Sequence, residues 1–534
     1  NRRLDRVAGW VDRRIEIANR RIRDVREWPS ADLEARLTSN LFMAIALRQP
    51  NHPDLAFWRT KAQDISQLER DANVRISNDA ILAALSAWQG QFAGALRLIE
   101  GMRELTTMPD ISPFSALKFA QAEAIYHMFT GDTDKCLEAV ERGLAIVAQS
   151  GVRVWNETFL AIGLWGALAG RDLDQAAEWQ RRIEATPSAA RNFDSFMRAY
   201  GIAWHAALRG DAFLAHQHLK TAAQASDDLG LPGFRAFTGI ALAQVLFDAG
   251  DERGAHRELE RTAAFATEVK SRLLEFMVAM CRASFAQSRG QQTEAVELLK
   301  LGLGLGRERG FTHFPWWLPQ RMAKLCQRAL EAQIEPEYVR RLIERRHLMP
   351  TPAPYAVASW PWRFRVHALG AFRVEIAGEE LREAGKRSGR PTELLKALVA
   401  LGARNVRLER LAETLWPNID RDYSSRSLNT TLHRLRKLLR DESALIVQAG
   451  ELRLSEGLFW LDTWGFERAC NDAQALTRST TAPVLSEGPD PKARSATLGR
   501  SSVTRMSTRS NRGPDNLERY FRCCRRLHVH RSPL

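Results

Sequence analysis

The chain has 534 residues, of which 45% are hydrophobic and 26% are charged, and its formal net charge is +14. This length exceeds what one hydrophobic core accommodates and predicts two to four domains of an ordinary globular composition. No run of eighteen apolar residues occurs, which argues against a membrane span, and the charged N-terminus lacks the apolar stretch of a secretory signal. The six cysteines form no CxxC pair, so we expect a cytoplasmic protein without a zinc site or a disulfide framework.

The net positive charge is weak evidence for DNA binding because of where it lies. Residues 487–534 contain eleven Lys and Arg against four Asp and Glu, a net +7. This tail is polar and of low complexity, so we expect it to be disordered. Residues 361–468 contain nineteen against fifteen, a net +4. Half of the excess charge therefore belongs to the tail.

Residues 81–345 contain an internal repeat of about forty residues. It is marked by six glycines: Gly90, Gly131, Gly170, Gly210, Gly250 and Gly290. Five positions later five of the repeats have a small residue: Ala95, Cys136, Ala215, Ala255 and Ala295. The third repeat has Gln175 there, with Ala176 beside it. Nine positions after each glycine comes a large apolar residue: Ile99, Val140, Trp179, Leu219, Leu259 and Leu299.

This pattern predicts helical hairpins. A glycine ends one helix in the left-handed conformation, and a following Asp (Asp132, Asp211 or Asp251) helps to start the next. The small residue lets the two helices approach closely, and stacked hairpins share one core. Chance spacing in an irregular helical domain is the alternative.

The repeat resembles tetratricopeptide (TPR) repeats, and more closely the longer form found in MalT-like regulators. The resemblance covers about residues 30–345. It implies a superhelix that senses a small-molecule or protein effector and relays the result to the rest of the chain. We expect an irregular helical segment over residues 1–80, repeats over 81–345 and a linker over 346–361, where Pro350, Pro352, Pro354 and Pro361 favour an extended chain.

Residues 362–467 have a different periodicity. RFRVHAL and AFRVEIA alternate apolar and polar residues around Gly370 and predict two strands. Three helices should follow, one opening at Pro391, one from Leu408 to Trp416 and one from about Ser424 to Arg440. LIVQA and ELRLSE, which are separated by Gly450, predict a terminal hairpin.

This order resembles the OmpR/PhoB-type winged helix, in detail the version found in actinobacterial antibiotic regulatory proteins and some MalT-like regulators. The similarity lies in LGAFRVEIAGEEL, LLKALVAL, RLERLAETLWPN and SLNTTLHRLRKLL. It extends through LFWLDTWGFERA, which in that family begins a helical bacterial transcriptional activation domain. Leu452 departs from it, since many relatives carry an aromatic residue in the wing. Residues 468–534 are expected to be a truncated start of the activation domain followed by the basic tail.

The fold class that we expect is mainly α, a TPR-like α-α superhelix followed by a small α+β winged helix-turn-helix domain and a disordered tail. In the third helix of that domain Leu428, Leu432, Leu435 and Leu439 form a buried stripe. The opposite face, centred near Arg426, Thr430, His433 and Lys437, should point outward.

From Arg426 to Arg440 this opposite face contains no acid, and a helix of this kind fits the major groove of DNA. The expected base-reading residues are Asn429, Thr430, His433 and Arg434. The expected phosphate-holding residues are Arg426, Arg436, Lys437 and Arg440. Arg453 on the wing is expected to contact the backbone or the minor groove. The alternative is that these are solvated charges on an exposed helix.

The expected function is a transcriptional regulator that binds double-stranded promoter DNA, with RNA polymerase or another protein as a further partner. One alternative is an interaction scaffold with a vestigial winged helix, and another is a fragment of an ATP-dependent switch. GEELREAGKRS departs from a phosphate loop, because six residues separate its glycines and Arg387 follows Lys386, so we expect a turn there. No catalytic constellation is apparent, and we expect neither an enzyme nor a cofactor. We expect no metal site either, since Cys523, Cys524, His528 and His530 lie in the tail.

Overall fold

The computed structural model describes residues 2–186, 192–381 and 389–480, with side chains from residue 10 to residue 474 within these ranges. The chain divides into two compact units, Asn1–Trp360 and Pro361–Leu534. Two expectations fall outside the described residues: most of the turn predicted over GEELREAGKRS, at residues 382–388, and the tail of residues 481–534 with its Cys and His pairs.

The described part of the first unit is helical throughout most of its length. Its seventeen α-helices are α1 (Arg2–Arg23), α2 (Ala31–Arg48), α3 (Leu55–Leu68), α4 (Ala72–Trp88), α5 (Phe92–Leu105), α6 (Pro113–Thr130), α7 (Thr133–Ser150), α8 (Asn156–Gly170), α9 (Leu173–Glu184), α10 (Asn192–Leu208), α11 (Ala212–Leu229), α12 (Pro232–Asp248), α13 (Glu252–Glu268), α14 (Arg272–Ser288), α15 (Gln292–Arg309), α16 (Pro319–Glu331) and α17 (Pro336–Arg346). Consecutive helices pack as hairpins, from α4 with α5 to α14 with α15. This is the predicted α-α superhelix of TPR-like hairpins.

Five of the six repeat glycines end a helix as predicted. Gly90, Gly131, Gly210, Gly250 and Gly290 all have positive φ, between 72° and 83°. The left-handed conformation carries no steric cost for glycine, so the chain can turn there into the next helix.

The third repeat differs from this pattern. Gly170 is the last residue of α8, and Arg171 takes the left-handed conformation in its place with φ 65°. A Cβ on Gly170 would lie 2.8 Å from the Oγ1 atom of Thr133. Close packing against α7, rather than backbone conformation, therefore explains the glycine at this position.

The shift to Arg171 also accounts for the displaced small residue of the third repeat. Ala176 lies five positions after Arg171, just as Ala95 lies five positions after Gly90, and both alanines are completely buried. Gln175 donates its backbone N–H to Asp172, the N-cap of α9, at 2.9 Å. The small residue thus keeps a constant distance from the left-handed residue in each repeat.

The segment between α15 and α16 was not predicted. Residues 311–318 leave the helical conformation and carry several large side chains into the core of the first unit. Phe311, His313 and Trp316 are at most 1% exposed. Gln244 on α12 donates its amide N–H to the carbonyl oxygen of Trp316 at 3.3 Å. The superhelix is therefore partly filled by its own chain.

Arg346, at the end of α17, connects this region to earlier hairpins. Its Nη1 atom donates to the carbonyl oxygen of Gly131 at 2.8 Å, and its Nη2 atom donates to that of Ala169 at 2.5 Å. Arg171 donates in turn to the carbonyl oxygen of Arg346 at 2.8 Å. Burial, together with the charges of Arg171 and Arg345, lowers the pKa of Arg346 to about 10.

A polar cavity of about 670 Å³ lies beside α6 and α7. On its wall the buried carboxylate of Glu123 accepts hydrogen bonds from Arg103, at 2.5 Å, and from Arg142. Tyr126 and Arg345 also line it. The cavity therefore presents both signs of charge.

The described part of the second unit is a small α+β structure. Its strands are β1 (Phe364–His367), β2 (Arg373–Ile376), β3 (Glu379–Glu380), β4 (Val406–Arg407), β5 (Leu445–Gln448), β6 (Glu451–Leu454) and β7 (Phe459–Leu461). Its α-helices are α18 (Gly389–Ala400), α19 (Leu408–Leu415), α20 (Arg421–Leu439) and α21 (Asp462–Thr480), and a 3₁₀ turn spans Glu442–Ala444. One sheet has the strand order β3-β2-β1-β7 and the other β4-β6-β5. The first strands, the three helices and the terminal β5–β6 hairpin follow the predicted order.

Strand β7 is a difference from the prediction, since we assigned its residues to the start of a helical domain. It pairs in parallel with β1, and the helix begins only at Asp462. The Asp462 carboxylate accepts the backbone N–H groups of Ala368 and Leu369, each at 2.8 Å. The Nε1 atom of Trp464 donates to the carbonyl oxygen of Gly402 at 3.1 Å. The first turn of α21 is thus part of this unit.

The proline-rich residues 346–361 contain no helix after Arg346, as predicted, but they do not form an extended connector. Val357 donates its N–H to the carbonyl oxygen of Pro354 at 3.0 Å, which closes a turn. Gln320 on α16 donates its amide N–H to the carbonyl oxygen of Met349 at 3.2 Å. Val357 and Leu348 are buried, and burial of such apolar side chains favours a folded segment over an extended one.

Candidate nucleic-acid interface

The orientation of α20 is set by its four leucines, as predicted. They are at most 5% exposed: Leu428, Leu432, Leu435 and Leu439. Asp420 caps the helix by accepting the N–H of Asp422 at 3.1 Å. Because the leucine stripe is buried against the unit, the opposite side of α20 faces outward.

Seven of the nine residues predicted to touch DNA are exposed on or at the end of α20. They are Arg426, Asn429, Thr430, His433, Arg434, Lys437 and Arg440. Within the described part of the chain, none of the four cations in this set forms an ion pair with a carboxylate. Their positive charges are therefore not neutralised locally and can attract an anionic partner.

The polar side chains on this face differ in what they can still bind. The Thr430 hydroxyl donates to the carbonyl oxygen of Arg426 at 3.0 Å, so its proton is engaged while its lone pairs remain free. Asn429 and His433 are exposed one turn apart. An amide and an imidazole can each donate and accept hydrogen bonds at base edges.

Arg436 lies apart from the exposed face, unlike the other predicted phosphate contacts. It is half-buried, and its Nη2 atom donates to the carbonyl oxygen of Leu445 at 3.2 Å. This bond joins α20 to the first residue of β5. In the structure Arg436 positions the hairpin against the helix.

The helix begins at Arg421, earlier than the predicted start near Ser424, because Asp420 supplies an N-cap. Asp422 therefore lies one turn before Arg426 on the same side of the helix. The face has no acid from Arg426 onward, but its N-terminal end carries this one. Tyr423, 62% exposed in the same turn, is a candidate contact that the sequence analysis missed; an aromatic residue in the polar stretch NIDRDYSS is the signal for it.

The β5–β6 hairpin lies next to α20 in sequence and has the predicted turn. Ala449 and Gly450 both have positive φ, 49° and 78°. Arg453 pairs with Ile446 across the strands and is half-buried. Leu452, where an aromatic residue would have strengthened the resemblance to a winged helix, is completely buried, so it belongs to the core and not to the exposed surface of the hairpin.

Metal binding and membrane insertion are the two remaining properties that concern the kind of site. Among the described residues no cluster of His, Cys, Asp or Glu has the arrangement needed to hold a metal ion. No described helix has the length and apolar character needed to cross a bilayer.

Comparisons with known proteins give only distant structural similarity. No family model and no curated protein matches the sequence. Three solved structures resemble the chain: a Rap protein complexed with Competence and Sporulation Factor (13% identity, TM-score 0.43, covering 65% of this chain and 97% of that one), the apo form of RapI (8%, 0.31, 76% and 98%) and aspartyl phosphate phosphatase F from Bacillus subtilis (9%, 0.33, 78% and 96%). With TM-scores below 0.5, these similarities identify neither a family nor a function for this chain.

Proposed function

We propose that the chain is a DNA-binding transcriptional regulator whose second unit is a winged helix of the OmpR/PhoB type. The observation that carries this proposal is the exposed face of α20, on which Arg426, Arg434 and Lys437 project without carboxylate partners among the described residues. An outward helix with cations at this spacing suits the major groove, and an adjacent hairpin suits a wing.

The contacts divide by chemistry. Arg426, Lys437 and Arg440 hold phosphates, while Asn429 and Arg434 are placed to read base edges. Asp422 repels phosphate, which favours insertion of the middle of α20 rather than its first turn. The proposal includes binding and no catalytic step.

The test starts with selection of bound duplexes from a random pool by the full-length chain. We expect an enriched sequence, and we expect the double variant Arg434→Ala/Lys437→Ala to lose affinity for it. The slope of log affinity against log salt should fall by about one unit for the lost phosphate contact of Lys437, and loss of the Arg434 base contact should relax the sequence preference.

The matched control is Arg373→Ala/Lys396→Ala, which removes the same charge from exposed positions on β2 and α18. It should leave affinity and salt slope unchanged. Selection without an enriched sequence, or equal losses in the two double variants, would refute the assignment of α20 as a recognition helix.

A second candidate function is a protein-interaction scaffold, favoured by the polar cavity beside α6 and α7. Glu123, Arg103 and Arg142 offer complementary charges to a peptide segment there. If this is the main role, a photo-reactive amino acid at Tyr126 should form one specific cross-link in cells, and Glu123→Ala should remove it. A chain that yields this cross-link but binds no DNA even at low salt would favour the scaffold over the regulator.

A further inference from the structure

A second cavity in the first unit lies between helices that are far apart in sequence. Its walls come from α2 to α4 on one side and from α12 to α14 on the other, and its volume is about 280 Å³. This is near the lower end of small-molecule sites in proteins, which run from about 300 to 1,000 Å³. The cavity is therefore of the right size for a small organic molecule.

The walls are mainly apolar, with an aromatic cluster at their centre. The Trp88 ring lies 4.5 Å from that of Phe234 and 5.2 Å from that of Phe237, measured between centroids. Phe234 and Phe237 are at most 5% exposed, while Trp88 is only half-buried among these rings. Leu85 and Leu274 complete the apolar lining. Such walls favour an apolar or aromatic body.

The charged groups of this lining all have the same sign. Arg59 and Lys270 face the cavity, and no Asp or Glu is among its lining residues. Arg59 donates to the side-chain oxygens of Gln89, at 2.6 Å, and Gln91, at 3.2 Å, which are neutral acceptors. Within the described ranges it has no carboxylate partner.

Arg59 is also partly withdrawn from water, and burial lowers its pKa. A desolvated cation held only by neutral amides gains much from an anion placed beside it. Apolar walls and an unpaired guanidinium together select a molecule with an apolar body and one negative group.

We propose that this cavity binds a small organic anion, an aromatic or aliphatic carboxylate, whose acid group pairs with Arg59 and whose body packs on Trp88. Since its walls belong to hairpins from both halves of the superhelix, the bound anion stabilises their packing against each other. The assignment does not depend on DNA binding by the second unit.

Gly233 provides a way to close the cavity without breaking the fold. It is the second residue of α12, lines the cavity, and has no heavy atom within 4 Å of the position that a Cβ would take. Gly233→Leu therefore fills the cavity with a side chain and causes no clash at its Cβ. Gly101 on α5 has equally open space around its Cβ position but lies outside the cavity lining, so Gly101→Leu is the matched control.

The experiment titrates the full-length chain with naphthylacetate and with its uncharged analogue naphthylacetamide, followed by calorimetry and ligand-observed NMR. A ligand of this size should bind in about the millimolar range or tighter. We expect the acid to bind about tenfold or more tightly than the amide, because only the acid forms a charge-assisted bond with Arg59.

Two variants locate the binding. Arg59→Met should weaken acid binding to about the level of the amide, and Gly233→Leu should abolish binding of both. Arg97→Met, at an exposed position on α5, and Gly101→Leu should bind like the wild type. Equal affinity for acid and amide, acid binding that persists in Gly233→Leu, or no binding of the acid at about 5 mM would each overturn the proposal.

Discussion

His313 is a titratable side chain that lies almost completely buried in the first unit. It is 1% exposed, and neither ring nitrogen has a hydrogen-bond partner among the described residues. Its ring stacks on Trp204, with centroids 6.2 Å apart, and lies 5.8 Å from Trp317. Burial, reinforced by the positive charge of Arg346, lowers the pKa of His313 well below its usual value.

This burial predicts a loss of stability in mild acid. The unfolded chain takes up a proton at His313 below about pH 6.5, whereas the folded chain keeps the ring neutral. Stability is therefore full above the unfolded pKa and falls with decreasing pH, by about 1.4 kcal/mol per pH unit for one such group. We expect His313→Phe to remove this part of the slope in urea unfolding of the full chain.

Part of the slope should remain in the variant, because burial also lowers the pKa of His127 and His205. His216→Phe, at a half-buried position on α11 where burial also lowers the pKa of the ring, is the comparison and should remove less of the slope than His313→Phe, because the His216 ring is less deeply buried. An identical pH dependence of wild type and His313→Phe would show that His313 does not titrate differently in the two states.

At the level of elements, three aspartates occupy equivalent positions before a helix, but only two of them cap it with the side chain. Asp211 accepts the N–H of Leu214, and Asp251 accepts that of Gly254, at 2.9 and 2.8 Å. The side chain of Asp132 makes no such bond to the first turn of α7. The repeat pattern predicted all three as helix starts, but only the structure separates the two that cap from the one that does not.

This difference in capping predicts different losses of stability when each aspartate is replaced by alanine. Asp211→Ala and Asp251→Ala should each lower the free energy of unfolding by about 1 kcal/mol, since each leaves a helix N-terminus without its acceptor. Asp132→Ala should cost clearly less by the same urea titration. Equal losses in the three variants would mean that the side-chain cap bonds contribute nothing measurable.

Elements with a periodic pattern were predictable, and those that depend on distant partners were not. The leucines from Leu428 to Leu439 identify the buried side of α20, because side chains three or four residues apart lie on the same face of a helix. Strand β7 has three residues and gains its partner only from β1, almost a hundred residues earlier. Nothing in the local sequence separates such a short apolar run from a helix start.

The candidate DNA-binding face of α20 could also be predicted from helix periodicity, because it is the side opposite the leucine stripe. Two residues differ from the prediction for this face, and in both cases the cause is a neighbouring residue that the helical periodicity does not include. Arg436 is diverted by the carbonyl group of Leu445 on β5, and Asp422 joins the face because the Asp420 cap extends the helix. The cavity beside Trp88 was not predictable, because its walls come from helices that are more than a hundred residues apart.

In the first unit as a whole, several contacts join distant repeats. Arg48 on α2 donates to the carbonyl oxygen of Leu229 at the end of α11, and Trp88 on α4 contacts Phe234 on α12. A simple solenoid touches only its nearest neighbours. These long-range contacts should make the unit unfold more cooperatively than an open array of hairpins does.

Arg346 gives the sharpest test of this idea. It is 7% exposed and holds the carbonyl oxygens of Gly131 and Ala169, which belong to two different hairpins. Arg346→Met keeps the length of the side chain but leaves both acceptors without this donor, which costs about 1–3 kcal/mol for a buried group such as the carbonyl of Ala169. We expect a lower midpoint of unfolding and faster hydrogen exchange in residues 311–349. Arg341→Met, which removes an exposed arginine from the same helix, should change neither, and similar exchange in the two variants would show that the repeats are not coupled through α17.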